Sequence, residues 1–308
     1  MSLTVIVPFY NDSQYLENCI LSLKRQDLGE FSVILIDDGS TDDSAQICKK
    51  YTENDERFTL ISLEHHGVSH SRNYGLQHAE CEFVTFVDAD DEIEPEHMRR
   101  LVENMSNPAV CMAVTGMRYV TEEKQVVFQL LFQDKTLSLD QALNSSFEHG
   151  GIGGFVWNKI FRTGIIKRNS IQFDESLRKY EDHVFVINYL LATSGNVITT
   201  SSASYTYIKH DDSVISAIAD STLSEDLVPY NMIDLMVKNS AHVGANSLVS
   251  DAKLNIAFSR LRKHSSTESD QQAKNYIIEN LLFRTIFKRP TTKAKIRFAL
   301  MWIYVRVF

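Results

Sequence analysis

Leu3-Thr4-Val5-Ile6-Val7-Pro8, Asp12–Gln26 and Phe31-Ser32-Val33-Ile34-Leu35-Ile36 decide the fold. The outer two are apolar, β-branched runs of strand length. The middle segment carries Leu16, Cys19, Ile20 and Leu23 at i, i+3, i+4 and i+7, one face of a helix that Asp12 or Ser13 would cap. Strand, helix and strand in this order form a βαβ crossover. The runs Phe58–Leu63 and Phe83–Val87 continue the rhythm. Further helices are predicted from near Thr41-Asp42, over Ser69–His78, and after Pro95, a residue suited to a first helical turn. The expected class is α/β.

Beyond this region the pattern changes. Val110–Phe132 is β-rich and predicts antiparallel strands completing the sheet. The cluster Gly150-Gly151-Ile152-Gly153-Gly154 predicts a mobile loop before Phe155–Arg162. Tyr180–Ala192 reads as a helix, and Val197–Thr199 and Ser204–Ile208 read as two short strands. From Ser224 onward every segment has helical character, enough for three or four helices.

A chain of 308 residues, 44% hydrophobic, supports one large domain and a smaller helical appendage without staples. Cys19, Cys48, Cys81 and Cys111 stand singly, with neither zinc-knuckle nor redox spacing, so they are expected as buried thiols. Met1 leads straight into an apolar strand with no secretory pattern, which places the protein in the cytoplasm. The net charge of −9 is uneven: no acidic residue follows Glu279, while seven Lys and Arg do, leaving −16 on residues 1–283. An acidic body argues against nucleic-acid binding, which relies on Lys and Arg.

In open α/β sheets, ligands bind at the carboxyl ends of the strands. Here those ends are polar: Pro8-Phe9-Tyr10-Asn11-Asp12, Asp37-Asp38-Gly39-Ser40-Thr41-Asp42 and Asp88-Ala89-Asp90-Asp91. Together they predict a pocket suited to a cation. No glycine lies between Met1 and Asp27, and there is no GxxxxGK[ST] loop, so no glycine nest is available for a pyrophosphate. A bound nucleotide diphosphate would need a metal, which Asp88-Ala89-Asp90 can address with hard oxygen ligands. Alone, such a DxD is equally read as a solvated turn capping the next helix.

Four motifs in order go further. Val5-Ile6-Val7-Pro8-Phe9-Tyr10-Asn11, Ile36-Asp37-Asp38-Gly39-Ser40-Thr41-Asp42, Gly67-Val68-Ser69 with Arg72-Asn73 and Gly75, and Phe86-Val87-Asp88-Ala89-Asp90-Asp91 resemble the signature of the family 2 glycosyltransferases. The resemblance covers about residues 3–216. It implies a GT-A fold, a Rossmann-like mixed sheet, and an inverting, metal-dependent transfer from a UDP-sugar to an acceptor hydroxyl, of the kind used in bacterial polysaccharide synthesis.

It also implies roles. Asp38 would accept the uracil N3–H, Tyr10 would lie against the base, and Pro8 would fix the strand exit. Arg72 would brace the Asp38 side. Asp88 and Ala89 belong to the nucleotide-sugar side, and Asp90 would ligate Mn²⁺ or Mg²⁺. Asp37 and Asp91 can equally cap neighbouring turns.

In the second half, Glu181-Asp182 resembles the family's ED motif, which makes Asp182 the general base, with Glu181 on the acceptor side. Tyr205–Ser216 resembles a segment whose His closes over the diphosphate, so His210 is a candidate metal or phosphate ligand; Asp211-Asp212 replaces the usual small residues there. Trp157-Asn158-Lys159 resembles a segment bordering the acceptor, which marks Trp157 and Lys159, although core packing accounts for Trp157 equally well.

The expected organisation is a GT-A catalytic domain over 1–216 and a helical region over 217–308. Phe298–Val305 is apolar but far too short to span a bilayer. Flanked by Lys293, Lys295, Arg297 and Arg306, it suits an anionic membrane surface, such as the inner face of the plasma membrane with a lipid-linked glycan acceptor, or else an oligomer contact within 284–308. Rival readings are a nucleotidyltransferase, which would carry a basic glycine-rich start, and a silent binding subunit, which would lack some acidic motif positions.

Overall fold

The computed structural model describes residues 2–210, 222–240, 246–263, 267–281 and 292–307. The chain forms two compact units, Met1–Asp211 and Asp212–Phe308. The expected boundary at 216, and the segment Asp211–Ser216, lie outside the described residues.

The first unit opens in the predicted order, but the first helix begins at Leu16 with Tyr15 at its N-cap and no side-chain cap, so neither Asp12 nor Ser13 caps it. β1 (Leu3–Phe9), α1 (Leu16–Lys24), β2 (Phe31–Asp37), α2 (Ser44–Thr52), β3 (Phe58–Ser62), α3 (Val68–His78) and β4 (Phe83–Phe86) alternate. β1 pairs in parallel with β2 and β4, and β2 with β3. Leu3, Val5 and Val7 share a core with Leu16, Cys19, Ile20 and Leu23 of α1. The opposite sheet face receives α3 at close range: a Cβ on Gly75 would stand 2.6 Å from Ile6 Cγ2 and 3.0 Å from Ile36 Cδ1. All four cysteines are free and buried.

The rest of this unit comprises β5 (Glu92–Ile93), α4 (His97–Asn104), β6 (Val110–Val120), β7 (Val126–Leu130), β8 (Lys135–Leu137), α5 (Leu139–Phe147), β9 (Lys159–Arg162), α6 (Thr163–Arg168), α7 (Glu181–Leu191) and β10 (Asn196–Ile208). The mixed sheet runs β3-β2-β1-β4-β9-β6-β10-β5, with β7 beside β6 and β8 beside β10. β9 runs antiparallel to both β4 and β6, while β10 is parallel to β6. These directions bring the start of β9 and the end of β10 to the sheet edge where β1, β2 and β4 end.

Three expectations change. Val110–Phe132 does form an antiparallel pair, β6 and β7, but β6 also pairs in parallel with β10. The two strands expected within 197–208 are one strand whose register shifts near Thr199–Tyr205 bend it without breaking it. Helix α5 escaped the periodicity reading, although Ser138 and Gln141 form a reciprocal capping box at its start.

The second unit has four described helices: α8 (Leu223–Lys238), α9 (Asn246–Lys263), α10 (Thr267–Asn280) and α11 (Thr292–Val307). Leu223, Leu227, Leu254, Ala273, Ile277, Phe298 and Met301 share its core. The Arg260 Nε donates to Asp226 Oδ2 at 2.7 Å, a buried pair between α9 and α8. No helix among the described residues is long and apolar enough to cross a membrane.

Because α3 rides so closely on β1 and β2, Gly75→Val should lower stability by roughly 1–3 kcal/mol, the usual cost of overpacking. Urea denaturation monitored by circular dichroism would measure it, and an unchanged midpoint would mean that Ile6 and Ile36 can repack.

Candidate functional site

The first two strand ends are locked to each other before any ligand is considered. Asn11 sits at φ +56°, the left-handed region that Asn tolerates better than most residues. Its Oδ1 accepts from the Thr41 backbone N–H at 2.8 Å, and its own N–H donates to Ser40 Oγ at 3.0 Å. Asp37 is buried, and its Oδ1 accepts from the Ser40 N–H at 2.8 Å, so it shapes its own turn. Gly39 at φ +79° has no room for a side chain, since a Cβ there would be 2.9 Å from the His65 nitrogen.

Asp38 is 3% exposed. Its carboxylate accepts from the backbone N–H groups of His66 (3.0 Å) and Gly67 (2.8 Å) and from Ser71 Oγ (3.2 Å), and His65 Nδ1 lies 2.8 Å from Oδ2. It therefore anchors the N-terminus of α3, satisfying donors that a helix leaves unpaired and complementing its dipole. Tyr10, 41% exposed, stacks on His65 with ring centroids 4.0 Å apart. Pro8 is buried and pairs with Ile36, beyond the point where β4 stops pairing with β1.

Arg72 does not brace Asp38. Ser71 takes that position, and one residue further along the helix the guanidinium points elsewhere. Its Nη2 donates to Asp88 Oδ1 at 2.9 Å, and its Nη1 donates to Asp182 Oδ1 at 2.7 Å and Glu181 Oε1 at 3.3 Å. Arg72 is buried, lies over the Phe173 ring, and leaves its Nε without a partner. One cation thus joins the strand-end turn to the start of α7, where the dipole also favours Glu181 and Asp182. Asp182 also accepts from the Val156 backbone N–H. Burial pushes the Asp182 carboxyl up to about 7; Arg72 opposes this, while Glu181 and Asp88 add to it.

The remaining acidic residues divide by role. Asp91 is fully buried and accepts from the Tyr205 hydroxyl at 2.7 Å and the Ile208 N–H at 2.9 Å, holding the turn to β10. Ala89 is 3% exposed, with its methyl group in the core, so only its backbone borders the turn. Asp90 is half-buried, pushed up to about 7 by burial and by the neighbouring Asp88 and Asp12, with His210 opposing. Asp12 is raised to about 6, chiefly by burial, with Asp42 and Asp88 contributing. His210 is buried on the Tyr15 ring, with Nδ1 3.1 Å from Glu122 Oε1 and Nε2 3.3 Å from the Asp90 carbonyl. Among the described residues no group of three or more His, Cys, Asp or Glu is arranged to hold a metal ion.

Two residues assigned to the acceptor side lie inside the fold. Lys159 is fully buried, and its Nζ donates to the Ile152 carbonyl (2.7 Å) and Asn158 Oδ1 (2.9 Å); burial pulls the ammonium down to about 7. Trp157 is 3% exposed and stacked between Phe155 and Tyr205. The glycine cluster expected to be mobile is pinned: Lys159 holds its Ile152 carbonyl, and the Ile152 N–H donates to Ser145 Oγ at 3.2 Å. Asn11 and Asp12, expected as part of the polar end of β1, lie beside the Ser40–Asp42 turn and, for Asp12, within electrostatic reach of Asp88.

Comparison with known proteins points one way. Residues 4–160 match the family description "Glycosyl transferase family 2". The chain is 33% identical over 224 residues to the poly(ribitol-phosphate) beta-N-acetylglucosaminyltransferase TarS of Staphylococcus aureus, covering 70% of this chain and 37% of TarS. It is 29% identical over 214 residues to the glycosyltransferase GlyA of Streptococcus pneumoniae, covering 67% of this chain and 30% of GlyA. It therefore spans about a third of the length of these relatives. The crystal structure of S. aureus TarS 1–349 in complex with UDP-GlcNAc superposes with a TM-score of 0.75 at 26% identity, covering 93% of this chain and 83% of that one.

A carboxyl whose proton is held more tightly in the folded than in the unfolded state stabilises the fold at low pH, and that contribution is lost as pH rises through the folded value. For Asp182 the window runs from its ordinary value of 3.8 to about 7. Asp182→Asn should therefore gain stability relative to wild type as pH rises from 4 to 7, with the difference level above that. Thermal melts across this range test it, and a pH-independent difference would mean that Arg72 fully offsets the burial of Asp182.

Proposed function

The chain belongs to glycosyl transferase family 2, and from that premise and the geometry of the strand ends we propose that it transfers a sugar from a UDP-sugar to an acceptor hydroxyl with inversion, using Asp182 as general base. The observation that carries this reading is the Arg72 bridge. It couples Asp88 to Asp182 through one guanidinium, so a donor held at the strand ends would present its anomeric carbon near a carboxylate poised to take a proton.

The resemblance to TarS with UDP-GlcNAc supports a uridine donor, with an N-acetylhexosamine as the first sugar to test. Tyr10 offers an exposed ring for the base. Asp38 would meet uracil only through acceptor capacity left over from its bonds to α3. In the transfer, Asp182 accepts the acceptor's hydroxyl proton as that oxygen attacks the anomeric carbon, and UDP leaves from the opposite face. Glu181, sharing Nη1 of Arg72, keeps the base oriented.

The residues present fit a divalent cation. Asp90, Asp88 and Asp12 concentrate hard carboxylate oxygens whose mutual repulsion a cation would relieve. Asp90 would hold Mn²⁺ or Mg²⁺, and His210 would join only by giving up one of its two present neighbours. When bound, the ion would neutralise the departing diphosphate. Fewer than three protein ligands suits an ion that shares its coordination with the donor.

The acceptor is proposed as a glycan, free or lipid-linked, and the domain limits as 1–216 and 217–308. For membrane contact, α11 buries Phe298 and Met301 but exposes Ile296 and Leu300 beside Arg297. Arg284, Lys288 and Arg289 lie outside the described residues. Replacing Ile296 and Leu300 with Ser should shift the protein from vesicles containing anionic lipid to the supernatant; undiminished sedimentation would remove this surface from consideration.

Asp182→Asn should retain UDP affinity by calorimetry while transfer falls by a factor on the order of 10² to 10⁴. Asp90→Ala, or excess EDTA, should weaken UDP binding itself. Near-normal transfer by Asp182→Asn would move the base to Glu181, and full activity in EDTA would sink the metal reading.

A further inference from the structure

Phe155 is the outer end of an aromatic stack rooted beneath the Asp88–Asp91 turn. The Tyr205 hydroxyl accepts from the Asp88 N–H at 3.2 Å and donates to Asp91. Trp157 lies on Tyr205 at 4.4 Å between centroids, and Phe155 lies on Trp157 at 4.9 Å, both close to parallel. Tyr205 and Trp157 are buried, whereas Phe155 is 46% exposed.

A single exposed aromatic is ordinary. This one is unusual in that the segment carrying it is tied to the fold and, through Val156, to the proposed base. Gly153, at φ +61°, packs under the ring, with a Cβ position only 3.3 Å from it. Lys159 fixes the carbonyl of Ile152 on one side, and on the other the next residue, Val156, donates its N–H to Asp182. Two residues before Asp182, Tyr180 is also exposed and sits at φ +60°, a conformation uncommon for an aromatic residue and of the kind that collects at functional sites.

We infer that Phe155 is the acceptor platform, on which an uncharged pyranose ring lays its apolar face with one hydroxyl directed at Asp182. This rests on the reading of Asp182 as base. A pyranose presents a flat array of C–H groups that matches an exposed aromatic face, and polar edges that remain solvated. A polyol phosphate has no such face.

The stack supplies its own probe. The chain has two tryptophans, and Trp302→Phe leaves Trp157, in contact with Phe155, as the sole tryptophan, read by excitation at its red edge where tyrosine does not absorb. In that protein, with UDP and Mn²⁺ present, millimolar methyl glycosides of glucose, galactose, mannose and N-acetylglucosamine are titrated against Trp157 emission, with ribitol 5-phosphate as the open-chain comparison. At least one glycoside should change the emission saturably. Phe155→Ala should weaken its binding roughly three- to tenfold, the range for losing one aromatic contact, and Phe155→Tyr should restore it. No response to any glycoside, a stronger response to ribitol 5-phosphate, or an affinity unchanged in Phe155→Ala would each overturn the inference. The titration reads no turnover, so a wrong donor or reaction would appear separately, as failure of UDP to bind by calorimetry.

Discussion

The guanidinium of Arg72 is shared by three carboxylates from two distant parts of the chain, and the site's geometry hangs on that sharing. Asp88 comes from the turn after β4, and Glu181 and Asp182 from the first turn of α7. Without a cation between them these groups would repel, and the ends of two elements would have no reason to approach. Burial raises the Asp182 carboxyl, Arg72 opposes the rise, and Glu181 and Asp88 add to it, because one cation does not balance three anions. Breaking such an arrangement by removing the cation is far more damaging than its net contribution suggests, because the buried anions are left behind.

Arg72 can stand there only because α3 is placed from both ends of its contact with the sheet. Asp38 gathers the His66 and Gly67 N–H groups and the Ser71 hydroxyl, which fixes where the helix starts. Gly75 lets the same helix settle onto Ile6 and Ile36, which fixes its depth. Between these constraints, one turn carries Ser71 toward Asp38 and Arg72 toward Asp88. Asp38 thus bears on the position of Arg72, and through it on Asp182, from a distance, through a helix.

What the sequence made legible follows from range. The βαβ rhythm, the polar strand ends and the acidic turn are written in local periodicity, and the structure places them where that reading expects. The partner of Arg72 was not legible, because Asp182 is 110 residues away and only the fold brings the two together. Trp157 and Lys159 misled for the same reason. They were marked by resemblance to a segment bordering the acceptor, with core packing an open alternative for Trp157, and the antiparallel entry of β9 turns both inward, where Lys159 finds the Ile152 carbonyl. The helix Leu139–Phe147 is announced by a local end signal, its Ser138–Gln141 capping box, and not by hydrophobic period.

Charge links the site to the proposed donor. A UDP-sugar brings negative phosphates to a pocket that already holds Asp12, Asp88 and Asp90, in a chain whose first 283 residues carry −16. Unscreened, like charges a few ångströms apart in a partly buried setting oppose binding by several kcal/mol. No described lysine or arginine other than Arg72 bonds to Asp88, Glu181 or Asp182, and the carboxylates have already taken Arg72. In the proposed reaction, affinity for a diphosphate would be supplied by the divalent cation assigned to Asp90. On that proposal the carboxylates that would repel a bare diphosphate are the ones that would favour a donor able to share its phosphates with the cation.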